Sequence, residues 1–158
     1  MIRTCTFVLV LAFTSPSILA GQDSGSALTG RWTVTGIAGA QETTSLSSDE
    51  ADQLKGRDFV VTSASVHFAD ETCEKPTFIR TRHSTAVFFR REYKLDPRSM
   101  RLPDSVTEIA IQCHAPSPIN FVYLRDKRHM VLFWRGFFLN ATRRPDKAPA
   151  TGTPSSLP

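Results

Sequence analysis

Cysteine is scarce in this chain, with 3 residues among 158. The sequence contains no Cys-x-x-Cys pair and no His-x-x-x-His spacing, which argues against the common kinds of zinc site. It also lacks Gly-x-Ser-x-Gly, a phosphate-binding glycine-rich loop and the His-Glu-x-x-His signature of zinc proteases. We therefore expect no catalytic residues, no metal and no cofactor, and we predict a protein that is not an enzyme.

Long apolar runs are scarce as well. The apolar stretch Cys5–Phe13 is about half as long as a membrane helix requires. It follows the positively charged start Met1–Arg3 and is interrupted by the Ser-Pro-Ser of residues 15–17. This arrangement is typical of a secretory signal peptide, which we place over residues 1–20. We accordingly predict a periplasmic or secreted protein whose mature chain has no transmembrane segment.

Cleavage after Ala20 would leave a mature chain with only two cysteines, Cys73 and Cys113. Two cysteines in an oxidising compartment most often pair. A metal site that combines them with His114 would need a ligand spacing that is missing here. We therefore predict a Cys73–Cys113 disulfide, which on the chain-entropy relation stabilises the fold by about 4 kcal/mol.

Charge is distributed unevenly along the chain. Acidic residues dominate residues 21–74, whereas residues 75–101 are rich in arginine and lysine. Such a basic segment suits an acidic protein, an anionic lipid or an envelope polysaccharide, although its arginines are also explained as solvated faces of strands. Export argues against nucleic acid as a partner. For a secreted or envelope protein as partner, we name Arg90 and Arg91 as candidate contact residues.

Alternating and β-branched segments separated by turn residues fill most of the mature chain. We predict turns at Asp70–Thr72 and at Asp96–Ser99. The predicted strands cover residues 30–37, 58–62, 65–68, 77–82, 86–93, 107–113, 119–124, 129–135 and 137–142.

One short helix interrupts the strands. Ser47 is placed to cap it, with Glu50 as the reciprocal partner three residues later. The helix should run through Leu54 and end at Gly56. Ala51 and Leu54 would face inward, so we expect a lid or plug over one end of a sheet.

These elements predict an all-β domain over residues 28–144, built as an antiparallel barrel of about eight strands with one short helix. Residues 21–27 are predicted to be a flexible N-terminal segment. Residues 145–158 are rich in proline, serine and threonine and offer nothing to bury, so we predict a disordered tail.

Two late strands are apolar on both faces. The segments are residues 121–124 and 130–138. An antiparallel strand with one face in water should alternate between apolar and polar residues. These strands therefore need a cover, for which the candidates are the short helix, the N-terminal segment, a partner or a lipidic ligand.

The first strand and the end of the last strand resemble the calycin superfamily. The resemblance rests on Leu28-x-Gly30-x-Trp32, on the series of antiparallel strands, and on Arg143-Arg144 just after the last strand. In lipocalins of that group the Gly-x-Trp tryptophan closes one end of the barrel and a late arginine packs across it. The resemblance thus implies structural roles for Gly30 and Trp32, with Arg143 or Arg144 as the cover.

The same resemblance implies a binding protein. A lipocalin-like carrier would hold a small hydrophobic molecule in the barrel mouth, lined by phenylalanines. The candidate lining residues are Phe68, Phe78, Phe88, Phe89 and Phe121. The alternative is a secreted or periplasmic inhibitor of a hydrolase, of the protease or lysozyme type, which would contact its partner through residues 21–28 or through the basic segment.

Overall fold

The computed structural model describes residues 27–145. The predicted signal peptide, nearly all of the predicted segment 21–27 and nearly all of the predicted tail 145–158 lie outside these residues. Within residues 27–145, no helix combines the length and the apolar character that crossing a membrane requires.

The described residues form nine strands, two α-helices and one 3₁₀ turn. The strands are β1 (Gly30–Ala40), β2 (Asp58–Val61), β3 (Ser65–Phe68), β4 (Glu71–Glu74), β5 (Thr77–Ser84), β6 (Ser105–Gln112), β7 (Phe121–Leu124), β8 (His129–Trp134) and β9 (Phe137–Arg143). The helices are α1 (Ser48–Asp52) and α2 (Thr85–Glu92), and the 3₁₀ turn covers Pro97–Met100.

All nine strands belong to one antiparallel sheet in the order β4-β3-β2-β1-β9-β8-β7-β6-β5. Each strand pairs with the next one in the chain, except β4 with β5, and β9 returns to pair with β1. This is the connectivity of an up-and-down barrel with one open seam, between β4 and β5. The sheet curls into a half-barrel, so the predicted all-β antiparallel fold class is confirmed.

A disulfide ties the two sides of the seam together at one end. Lys75 and Pro76 alone connect β4 to β5. Cys73 in β4 is bonded to Cys113, the residue after β6, and their Cα atoms are 5.4 Å apart. The predicted disulfide is present. It therefore joins strand β4, at one edge of the sheet, to the end of β6 beside the other edge.

The inside of the curl is filled with apolar side chains from all nine strands. Trp32, Phe59, Phe68 and Trp134 are almost completely buried there. The Phe68 ring meets the Trp134 ring edge to face, with 4.8 Å between the ring centroids. Such aromatic pairs stabilise a core by about 0.5–1.5 kcal/mol beyond the area that they bury. We call this cluster the inner core.

A second cluster, which we call the outer core, lies on the opposite face of β6 to β9 and is covered by α2 and the 3₁₀ turn. Its buried members are Ala38, Phe88, Phe89, Met100, Val106, Tyr123, Val131 and Phe138. The cover that the doubly apolar strands β7 and β8 require is therefore intramolecular. It comes from α2 and the 3₁₀ turn, whereas the helix predicted from the sequence, α1, packs on the inner core.

Residues 86–93, predicted to be a strand, are the main correction. Residues 86–92 belong to α2, and Tyr93 follows it as the C-cap. In α2, Thr85, Phe88 and Phe89 are buried and Arg90 and Arg91 are exposed. A spacing of three and four places the three buried residues on one face of a helix. Packing of that face against β7 to β9 outweighs the β propensity of the phenylalanines.

Helix α1 begins as predicted and is shorter than predicted. The backbone N–H of Ser47 donates to the Glu50 carboxylate at 2.8 Å, and the Ser47 hydroxyl accepts from the Glu50 N–H at 3.3 Å. This capping box starts a helix that ends at Asp52. Ala51 is buried in the inner core and Leu54 packs against it, so α1 closes part of that core.

Candidate functional site

The end of the half-barrel near the start of β1 is closed by Trp32. Its indole N–H donates to the carbonyl of Leu28 at 2.7 Å. The guanidinium of Arg143 lies across the indole, with Cζ 4.3 Å from the ring centroid. Arg143 also donates to the carbonyl of Thr29 at 2.6 Å and to that of Ala27. This is the arrangement that the calycin resemblance implies, with Arg143 as the covering arginine.

Gly30 makes room for that arginine. Its backbone φ is +127°, a value that residues other than glycine rarely adopt. A Cβ at this position would lie 3.2 Å from Nη1 of Arg143. The Gly-x-Trp pair thus supplies both the ring and the space for its cover.

A cavity of about 600 Å³ opens beside this closed end, and we call it the mouth pocket. It is lined by Ala27, Arg80, Arg82, Pro103, Ser105, Thr107, Leu124, Arg125, Asp126, Lys127 and Arg143. The lining therefore combines several cationic groups with a small apolar surface.

The register of the sheet explains why these side chains meet. Phe78 and Arg80 in β5 are paired with Ile111 and Ile109 in β6, which both belong to the inner core. Directly opposed residues of antiparallel strands point to the same face. Arg80, and Arg82 two residues later, therefore continue the inner face of β5 beyond Phe78. The inner face changes there from apolar to basic.

Most of the cationic groups in the mouth pocket have no acidic partner. Arg82 donates through Nε to the Ser105 hydroxyl at 2.8 Å. Within the described part of the chain, Arg80 and Lys127 have neither a hydrogen bond nor an ion pair through their side chains. Arg143 is engaged with the Trp32 ring and two carbonyl oxygens.

Asp126, the acidic residue in the lining, is already engaged. Its carboxylate accepts from the backbone N–H of Arg128 at 2.7 Å and from that of His129 at 2.9 Å, and it contacts the His129 ring. The hydrogen bond from Arg128 is the main cause that holds the pKa of Asp126 below its ordinary value. Asp126 thus secures the turn between β7 and β8 and forms no ion pair with Arg80 or Lys127.

Such a set of donors can bind an anionic group. Guanidinium and ammonium groups form their strongest hydrogen bonds with carboxylate and phosphate oxygens. Basic side chains gathered in a concave site also raise the local concentration of anions. The apolar part of the lining, at Leu124, Pro103 and Ala27, can contact a hydrocarbon portion.

The five phenylalanines predicted to line a ligand site are divided between the two cores. Phe68 is buried in the inner core and Phe78 packs against it. Phe88 and Phe89 on α2 belong to the outer core, and Phe121 packs against that core. The five therefore line no common cavity, because α2 carries two of them to the outside of the sheet.

Arg90 and Arg91, the predicted partner contacts, lie on the exposed side of α2. Nε of Arg91 is 2.6 Å from the carboxylate of its neighbour Glu92. Neither residue lines the mouth pocket.

The sequence interpretation missed Lys127, Ser105 and Thr107 as candidate site residues. Arg80 and Arg82 were recognised only as part of the basic segment. A local signal for these two was available, since they share the face of Phe78 in an alternating strand. Nothing local predicts that Lys127, from the turn after β7, lies in the same cavity.

Within residues 27–145, no group of three or more His, Cys, Asp or Glu side chains is placed to bind a metal ion. No known protein family, curated protein or solved structure matches the chain.

Proposed function

We propose that this protein is a non-enzymatic binding protein that takes a small organic anion into the mouth pocket. The ligand would carry a carboxylate or phosphate group and a short apolar body. The observation that supports this most strongly is the convergence of Arg80, Arg82 and Lys127, none of them with an acidic partner, on one cavity.

The size and lining of the mouth pocket agree with such a ligand. Small-molecule sites usually measure about 300–1,000 Å³ and combine apolar walls with a few polar anchors. The cavity of about 600 Å³ lies in that range. The anionic group would contact the cationic side chains, and the apolar body would lie against Leu124 and Pro103.

The proposed ligand differs from the small hydrophobic molecule that the sequence predicts for a lipocalin-like carrier, because it carries an anionic group. Space inside the curl is taken by Trp32, Phe59, Phe68 and Trp134. An uncharged apolar ligand there would have to displace core side chains, whereas an anionic ligand uses the charged mouth. Inhibition of a hydrolase stays a prediction.

We further propose that the protein works in the periplasm or outside the cell. The signal-type start of the chain supports this, as does the Cys73–Cys113 disulfide. Structural disulfides persist mainly in oxidising compartments.

Isothermal titration calorimetry with octanoate, octyl phosphate and uncharged octanol tests the proposal. We expect the two anions to bind and octanol to bind much more weakly. The double variant Arg80→Gln/Lys127→Gln should lose about tenfold or more in affinity for the anions, since hydrogen bonds to charged groups contribute about 1.5–3 kcal/mol each.

The matched control is Arg90→Gln/Arg91→Gln, which changes the net charge by the same amount on α2. It should bind octanoate like the original protein. An equal loss in both double variants would mean that net charge alone attracts the anion, and the absence of binding by either anion would refute the proposal.

A further inference from the structure

Within residues 27–145, strand β5 pairs with another strand along one edge and not along the other. All eight of its residues pair with β6. On its other side lies the seam, where β4 has only four residues. If β4 were laid antiparallel to β5 with Glu74 beside Thr77, its first residue, Glu71, would reach Arg80. Beyond that point, no strand of the described part of the chain lies opposite β5.

The hydrogen-bond pattern shows which backbone groups face this edge. The N–H of Thr85 donates to the carbonyl of Asp104 at 2.9 Å, in the same register as the pairs of β5 and β6. In an antiparallel ladder, hydrogen-bonded and non-hydrogen-bonded pairs alternate. His83 and Thr81 therefore direct their backbone groups to β6. Arg82 and Arg80 direct theirs to the seam, as Ser84 does with its N–H.

A second hydrogen bond gives the same assignment. The N–H of Ile111 donates to the carbonyl of Asn120 at 2.7 Å, which directs Ile111 of β6 toward β7. Its neighbours Ala110 and Gln112 therefore face β5. Among the described residues, the backbone N–H and C=O groups of Arg80 and Arg82 and the N–H of Ser84 are thus available to pair with another strand. The carbonyl of Ser84, the N-cap of α2, accepts the first hydrogen bond of that helix.

The disulfide limits where such a strand can lie. The Cα atoms of Cys73 and Cys113 are 5.4 Å apart, close to the spacing of about 4.8 Å between neighbouring strands. Lys75 and Pro76 alone connect β4 to β5, so no further strand fits between these two edges at that end. The accessible part of the edge is the segment Arg80–Ser84.

The side chains around this segment have a distinctive chemistry. Arg80 and Arg82 point to the inner face and have no acidic partner among the described residues. On the outer side, Ile79 is 44% exposed and Val87 is 62% exposed. These two are the large hydrophobic side chains that residues 27–145 leave exposed.

We propose that the edge Arg80–Ser84 binds an extended acidic segment of a partner protein by β-strand addition. Side chains opposite Arg80 and Arg82 would be carboxylates. The alternate side chains would be apolar and lie toward Ile79 and Val87. Main-chain hydrogen bonds then supply affinity and the alternating side chains supply specificity. This site shares Arg80 and Arg82 with the mouth pocket, and it goes beyond the binding of a small anion because it also uses the backbone groups of the strand edge.

Charge decides between a partner and a second copy of this chain. Two β5 edges paired antiparallel would bring the arginines of one chain opposite those of the other. Like charges directly opposite each other destabilise a strand pair. An acidic strand removes that repulsion.

Fluorescence anisotropy with a labelled peptide of alternating glutamate and valine tests the inference. The same peptide with N-methyl groups on the backbone positions that face β5 keeps its charge and loses its donors. We expect it to bind about tenfold or more weakly, since a lost hydrogen bond costs about 0.5–1.5 kcal/mol and at least two are removed. Equal binding of the two peptides would overturn the inference.

Ser84→Pro tests the protein side of the same bond pattern. Ser84 has a φ of −68°, which proline matches, and its hydroxyl makes no capping bond. Proline removes an N–H that faces the seam and leaves the ladder with β6 intact. Ser84→Pro should weaken peptide binding severalfold and leave octanoate binding unchanged. The matched control Ser84→Ala should bind the peptide as the original protein does. Unchanged peptide binding by Ser84→Pro would contradict the proposal.

Hydrogen exchange gives a readout that is specific to alternate residues. On peptide binding, the amides of Arg80, Arg82 and Ser84 should gain protection, while those of Thr81 and His83 are already protected by β6. Uniform protection, or a peptide-independent dimer that protects the same amides, would overturn the inference.

Discussion

Arg143 lies across the indole of Trp32, and the two residues are also directly paired between β9 and β1, with the guanidinium carbon 4.3 Å from the ring centroid. The pair joins the first strand to the last one at the closed end of the half-barrel. It also holds the chain just before β1, since the same guanidinium donates to the carbonyl of Thr29. The contact is therefore primarily a structural one.

We predict that Arg143→Gln lowers the free energy of unfolding by about 2–4 kcal/mol. The variant loses a cation–π contact worth about 0.5–2 kcal/mol and charge-assisted hydrogen bonds worth about 1.5–3 kcal/mol each, part of which glutamine retains. Urea unfolding followed by tryptophan fluorescence measures the change. Arg144→Gln is the control, because Arg144 is exposed and bonds to Thr33 at the surface. Equal losses in the two variants would contradict the assignment of Arg143 as the cover.

The disulfide across the seam should contribute a large part of the stability. For a sequence separation of 40 residues, replacing both Cys73 and Cys113 by serine should cost about 4 kcal/mol on the chain-entropy relation. Guanidinium unfolding of the oxidised protein and the double variant measures the difference. Reducing agent should lower the stability of the original protein and leave the double variant unchanged. A response of the double variant to reductant would argue against this bond as the cause.

Gly136, in the turn between β8 and β9, should tolerate no side chain. Its φ is +93°, and a Cβ there would lie 2.9 Å from Cα of Thr44. We expect Gly136→Ala to lower the free energy of unfolding by about 1–3 kcal/mol or more. Gly39→Ala is the control, since its Cβ would meet Cδ2 of Leu95 at 3.5 Å, an ordinary contact. Thermal unfolding of both variants checks the contrast, which would be wrong if Gly39→Ala were the more damaging change.

The chain has only two tyrosines, Tyr93 and Tyr123, and their hydroxyl groups are hydrogen-bonded to each other in the outer core. Burial raises the pKa of Tyr93 to about 12 and also raises the pKa of Tyr123. Because unfolded tyrosine has a pKa of about 10, the unfolded chain loses protons first. The contribution of the buried tyrosine pair to the free energy of unfolding is therefore present in full below about pH 10 and is lost as the pH rises toward about 12.

An alkaline titration of the tyrosinate absorbance tests this directly, since no other tyrosine contributes to the signal. We expect little ionisation until the protein unfolds, and denaturant unfolding at increasing pH should show the falling stability. Ionisation of either tyrosine near pH 10 in the folded protein would contradict the buried pair.

Some elements were predictable because their signals are local. The alternation in β6 around Ile109 and Ile111, the capping box of Ser47 and Glu50, and the candidate disulfide all depend on short-range patterns or on composition. The prediction was wrong for residues 86–93, where β propensity favoured a strand. The spacing of Thr85, Phe88 and Phe89 was a helical signal in the same segment, and it becomes decisive only when a doubly apolar sheet needs a cover.

The candidate site was much less predictable. Arg80 and Arg82 stood out as basic, but Lys127 is distant from them in the chain and meets them only through the pairing of β5, β6 and β7. The two cores likewise separate Phe68 from Phe89, which composition alone cannot do.

Most of the strands and the start of the first helix follow from the order of residues, because backbone propensity, capping and alternation act over a few positions. Glu71 and Thr72, predicted as part of a turn, instead begin β4. The open seam between β4 and β5, the choice of Arg143 over Arg144 and the gathering of cations at the mouth arise only in the folded chain. They depend on strand register and on which faces find a cover, and these are settled by contacts between residues far apart in sequence.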